Sequence, residues 1–150
     1  RTHKDELDPD KTIVLAIDSV GSGDVRWVTS EGLTISFEMD NRVGQICEAI
    51  ADADREGENR FRAAALRHGF VTDALAARVA GLRASAITCL EPGAITPARH
   101  HSPTDTADAI DPQSLERAEA FTLELIRALD RDLARSEERP SKPVHAASGA

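Results

Sequence analysis

A chain of 150 residues with 41% hydrophobic content is long enough to bury one core of ordinary domain size. Its formal net charge of -8 and pI near 5.1 disfavour a nucleic-acid partner, because recognition of phosphate backbones draws on clustered lysine and arginine. No apolar run approaches the roughly 20 residues of a membrane span, and no basic-then-apolar leader opens the chain, which begins at Arg1 and reads as a piece of a longer protein.

Residues 1 to 10 are charged, and Asp8-Pro9-Asp10 marks a turn, so the expectation is the tail of a helix followed by a loop. Thr12 to Ile17 is a continuous, β-branched apolar run, which predicts a strand buried on both faces of a sheet. Gly21-Ser22-Gly23 breaks it. Two shorter strands are expected at Asp24 to Thr29 and Leu33 to Glu38, separated by Glu31-Gly32. Val43, Ile46, Cys47 and Ile50 then recur at helical spacing up to a stop at Gly57, while residues 56 to 70 give no clear pattern.

Thr72 or Asp73 supplies a cap for a helix through Leu75, Ala76 and Val79 to Gly81, and Leu82 to Leu90 reads as another strand. The segment from Glu91 to Ile110 carries Pro92, Gly93, Pro97 and Pro103. It is long for a connection in a compact domain, and long ordered loops tend to be functional. Asp111 as cap and Pro112 at the first position open the clearest helix, with Leu115, Ala118, Phe121, Leu125, Ile126, Leu129 and Leu133 along one stripe. From Ser136 the composition of small and polar residues with Pro140 and Pro143 predicts a disordered tail. The division is therefore a folded portion at 1–135 and a tail at 136–150. Cys47 and Cys89 are too few and too far apart for a disulfide framework or zinc ribbon and read as core thiols.

The fold class expected from this order is α/β, part of a mixed, mostly parallel sheet flanked by helices. In such sheets ligands bind outside the carboxyl ends of the strands. Asp18 is the first polar residue after the strand at 12–17, where a carboxylate serves either as a cation ligand or as a turn cap. His101 lies in the long loop next to Pro103. Asp105 is placed either to accept the free N–H of the histidine ring or to tie down loop amides. From the residues alone, His101 is either a surface histidine or a metal ligand.

Leu15-Ala16-Ile17-Asp18-Ser19-Val20-Gly21 resembles the "N-L-D-x-V-G" segment of the di-zinc aminopeptidases of the aminopeptidase Y type (clan MH). His101-Ser102-Pro103-Thr104-Asp105-Thr106 resembles their closing "H-T-P-x-D-T". Thr72-Asp73-Ala74 followed by Val79-Ala80-Gly81-Leu82-Arg83-Ala84 is similar to the family's "S/T-D-x" and "x-x-G-x-P-A" segments, with Arg83 in place of the proline. The helix from Asp111-Pro112-Gln113-Ser114-Leu115 follows in the same order, so the resemblance covers residues 1 to about 135.

The resemblance implies a zinc-exopeptidase fold of the phosphorylase/hydrolase-like type whose upstream strands are missing from this chain. It also implies two zinc ions bridged by a water and an aspartate, a Glu general base, and a peptide substrate held by its free amino end. Asp18 is then a ligand of one ion and His101 of the other. His100 is the alternative to His101, and Asp73 either binds substrate, supports the ligands or caps its helix. Asp105 has the same kind of supporting role.

The first metal His, the bridging Asp, the Glu-Glu pair and hence any catalytic residue have no counterpart here. His3-Lys4-Asp5 has the His-x-Asp spacing but stands on a charged segment leading into a proline turn, not after a buried strand. The implied function is a zinc-dependent exopeptidase with this chain alone inactive. A non-catalytic relative and a one-zinc acyltransferase of the glutaminyl cyclase type are the alternatives.

Overall fold

The computed structural model describes residues 6–67 and 71–137, so the expected helix tail at the start of the chain falls largely outside them. The predicted turn after it is present, with the Lys11 amide donating to the Asp8 carbonyl at 3.1 Å. The elements in order are β1 (Ile13–Ile17), β2 (Asp24–Glu31), β3 (Phe37–Glu38), α1 (Asn41–Glu56), β4 (Ala64–Arg67), α2 (Asp73–Val79), β5 (Arg83–Leu90) and α3 (Pro112–Glu137). A short 3-10 turn at Ala107–Ala109 precedes the last helix.

They form an α/β fold with a mixed five-stranded sheet in the order β1-β5-β2-β3, β4 also pairing with β2. β1 runs parallel to β5 and β4 parallel to β2, whereas β5 and β3 are both antiparallel to β2. The expectation of a mostly parallel sheet is therefore corrected. β2 follows β1 with only a short connection, and no helix intervenes to carry the chain back for another parallel strand.

β5 is central and, after Arg83, buried throughout, its polar residues Ser85 and Thr88 included. Its side chains alternate between two cores. Ile87 and Cys89 face α1 and α3, together with Val25, Trp27, Val43, Cys47, Phe121 and Leu125. Ala84 and Ala86 face α2, where Ala16, Val28, Met39 and Ala74 complete a second, smaller core. The small side chains on that face let α2 lie close to the strands.

β1 is less buried than its sequence suggests. It ends the strand order, pairs with β5 alone among the described residues, and leaves Ile17 54% exposed. The expected strand at 33–38 shrinks to Phe37–Glu38, with Leu33 and Ile35 exposed in the reversal before it. β4 emerges from the segment that had no clear pattern.

The helix ends follow the capping residues. Asp40 accepts the Val43 amide at 2.9 Å to start α1, and Thr72, not Asp73, caps α2 by accepting the Ala74 amide at 3.2 Å. The Asp111 carboxylate accepts the Gln113 amide at 3.0 Å and the Ser114 hydroxyl at 2.7 Å, with Pro112 first in α3 as expected. Ala118, Phe121, Leu125 and Leu129 form the buried stripe of α3, while Leu115 and Ile126 lie at its edge and are half-exposed. The helix runs through Ser136 to Glu137, past the expected start of the tail, and residues 138–150 lie outside the described residues.

Candidate functional site

Asp18 leaves the sheet at the carboxyl end of β1. Its amide still donates to the Ile87 carbonyl at 3.0 Å, prolonging the pairing with β5, and its Oδ1 accepts the Ser19 hydroxyl at 3.0 Å. Ser19 takes a left-handed φ of 55° while its carbonyl accepts the Cys89 amide at 3.2 Å. The chain thus turns away from the strand and leaves the Asp18 carboxylate exposed.

The long loop is fixed by a succession of turns. His100 donates its amide to Pro97 at 3.3 Å, Ser102 to Arg99 at 2.9 Å and Asp105 to Ser102 at 3.0 Å, and the Ser102 hydroxyl accepts the Thr104 amide at 3.1 Å. Backbone ties are therefore supplied largely by Ser102, which leaves the Asp105 carboxylate on the groove wall. The loop is moored near its ends by the Ser22 hydroxyl on the Glu91 carboxylate and by the Asp111 amide, which donates to Gly21 at 2.8 Å. The imidazole rings of His100 and His101 are 4.1 Å apart between centroids and tilted by 59°.

These elements enclose an open groove of about 460 Å³ lined by Asp18, Ser19, Val71, His100, His101 and Asp105. A narrower cleft of about 70 Å³ shares Ser19, His100 and Asp105 with it and continues toward Ser22 and Ile110. Five non-glycine residues among those described have positive φ, and Ser19, Arg99 and His101 line these two cavities. Strained backbone of this kind persists where the surrounding structure holds it, and it concentrates at functional sites.

The structure thus brings together Asp18 with His101, Asp105 and the alternative His100, which lie more than 80 positions further along the chain. Asp73 is not among the groove-lining residues. It is the exposed first residue of α2, where a negative charge favours the amide end of a helix. A larger hollow of about 520 Å³ lies between α1 and α3, but its polar rim is occupied by ion pairs such as Arg42 with Asp132 at 2.6 Å.

Carboxylate oxygen and imidazole nitrogen are suitable zinc donors. Among the described residues, no group of three or more His, Cys, Asp or Glu side chains converges closely enough to hold a metal. The two cysteines stay outside this chemistry, since burial pushes the Cys47 thiol up to about 12 and Cys89 to about 11.

One buried polar group beside the groove is not foreseen by the sequence. Glu31, at the end of β2, is fully buried and accepts from the Thr72 amide at 3.2 Å and from the Thr72 hydroxyl at 3.2 and 3.0 Å. Burial raises its proton affinity, the Thr72 bonds oppose that rise, and the negative charge of Asp18 adds to it. Nothing in the local pattern Ser30-Glu31-Gly32 distinguishes it from a turn residue, because its partner lies 41 positions away.

No family model matches the chain, and neither the curated proteins nor the solved structures yield a match.

Proposed function

We propose that the chain is part of a zinc-dependent exopeptidase, an aminopeptidase that hydrolyses N-terminal residues from peptides, built on a zinc-exopeptidase fold. The observation that carries this reading is the meeting of Asp18 and His101, 83 positions apart in sequence, in one groove with Asp105. The donor set fits zinc by chemistry. Asp18 would hold one ion and His101 the other, and Asp105 lies on the same wall as a carboxylate suited to orienting the ring.

Two zinc ions, when bound, lower the pKa of a shared water and polarise a peptide carbonyl. A zinc ion usually takes four ligands, so the remaining donors and the general base are assigned to other parts of the protein, and this chain alone is inactive.

The test is elemental analysis and peptide hydrolysis with the intact protein. Wild type is expected to hold about two zinc ions per domain. Asp18→Ala and His101→Ala are each expected to lose about one ion and nearly all activity, whereas His100→Ala keeps both. Full metal content and activity in Asp18→Ala would sink the assignment.

A second reading is a non-catalytic relative that keeps the fold. It predicts no zinc in the intact wild type. The one-zinc acyltransferase is separated by the same metal count.

A further inference from the structure

We infer that Glu31 is a positioning residue for the groove: through Thr72 its buried carboxylate holds the corner that brings Val71 beside Asp18. This rests on the function proposed above and adds to it a residue absent from the resemblance that suggested it.

Residues 33–38 that follow Glu31 are exposed, yet Glu31 itself is fully buried. A buried carboxylate is costly unless its oxygens are satisfied, and here both oxygens accept from Thr72, with the Leu75 amide adding to their stabilisation. Thr72 receives in turn the Ala74 amide on its hydroxyl and the Leu75 amide on its carbonyl. A continuous chain of hydrogen bonds therefore runs from the end of β2 through Thr72 into the first turn of α2.

Val71, one residue before that anchor, is half-exposed and lines the groove with Asp18. Without the Glu31 carboxylate the Thr72 amide and hydroxyl lose their sheet-side acceptor. Among the described residues the corner then keeps the short α2, which meets the strands mainly through Ala74 and the partly buried Leu75 and Ala77.

The experiment uses the intact protein with Glu31→Ala, Thr72→Val and Thr72→Ser. Amide exchange is followed at Thr72 and Ala74 and on β5, and zinc content, kcat and KM are measured for a peptide substrate. Expected for Glu31→Ala and Thr72→Val is exchange faster by about tenfold or more at the corner, with β5 protection unchanged. Their kcat/KM should fall by about tenfold with zinc retained, while Thr72→Ser, which keeps the hydroxyl, stays within about twofold of wild type on every measure.

The inference is overturned if the corner amides of Glu31→Ala exchange as in wild type, or if they are released and kcat/KM is unchanged. Should Glu31→Ala fail to fold, Thr72→Val gives the same two readings with the carboxylate in place. A wild type that neither binds zinc nor cleaves peptides overturns the proposed function and the positioning role together. Failure of the positioning role alone appears only in the variants, against an active wild type.

Discussion

Replacing Phe121 by alanine tests how the last helix is fastened to the sheet. Phe121 is fully buried, stacked on Trp27 with centroids 6.3 Å apart and planes 11° apart, and edge-on to Phe61 at 5.5 Å and 80°. Removing a buried phenylalanine ring costs about 3–5 kcal/mol, which includes the two ring pairs at about 0.5–1.5 kcal/mol each. The expected loss is about 4 kcal/mol, a large part of the roughly 5–15 kcal/mol that holds a domain together. For a domain of this size, about 3 °C per kcal/mol gives a fall in Tm of about 12 °C. Trp27 is the sole tryptophan, so urea unfolding followed by its fluorescence reports directly on this contact. Leu123→Ala, on the exposed side of the same helix, serves as the control and should change stability by no more than about 0.5 kcal/mol. A loss below about 1 kcal/mol in Phe121→Ala would refute the assignment of the aromatic cluster as the main fastening of α3.

Other outcomes follow from single residues. Gly23→Ala should cost at least about 3 kcal/mol in thermal unfolding, since φ is +93° and an added Cβ would stand 2.2 Å from the Leu90 carbonyl carbon. Stability against pH separates two carboxylates of opposite sign. The raised folded pKa of Glu31 means the native state binds its proton more tightly than the unfolded chain does. That contribution is full below the ordinary value of 4.5 and is lost as pH rises through the folded value, so Glu31→Gln flattens the stability profile just above pH 4.5. Asp132 behaves in reverse, because the Arg42 guanidinium holds its pKa below 3.8. Its contribution is present above that value and disappears as pH falls, and Asp132→Asn removes this acid-side loss. Urea midpoints between about pH 3 and 7 read both effects.

Helices and central strands were legible because their signals are local. Thr72 and Asp111 announce helix starts by their side-chain oxygens, whereas the Asp40 cap of α1 is seen only in the fold, and β5, though it carries Ser85 and Thr88, matches a strand covered on both sides. β4 was not legible, since Ala64-Ala65-Leu66-Arg67 has the composition of a helix and becomes a strand only by pairing with β2. Leu33, Ile35 and Phe37 alternate like a strand yet are exposed. The reversal at Gly32 is so tight that a Cβ there would meet the Ile35 carbonyl at 1.9 Å, and pairing begins only at Phe37. Asp18, His101 and Asp105, which line the groove, were singled out chiefly by the resemblance of their segments, because an acid after a strand and a histidine in a proline-bearing loop are by themselves equally a turn cap and a surface residue. Glu31 could not be singled out, because its significance depends entirely on Thr72.

The parallel pairing of β1 with β5 joins Ile13 to Arg83 and Ile17 to Ile87, each 70 positions away, and β1 has no second strand beside it among the described residues. The antiparallel β2–β5 pair closes a loop nearly as long, Asp24 to Leu90, but lies in the middle of the strand order around the buried aromatic rings, whereas β1 adds a single ladder at one end. β1 is thus held along one edge only, and its opening leaves the β2–β5 ladder in place. Asp18 travels with it. Opening of β1 removes the carboxylate end of the groove, so a cation bound there would slow amide exchange along β1.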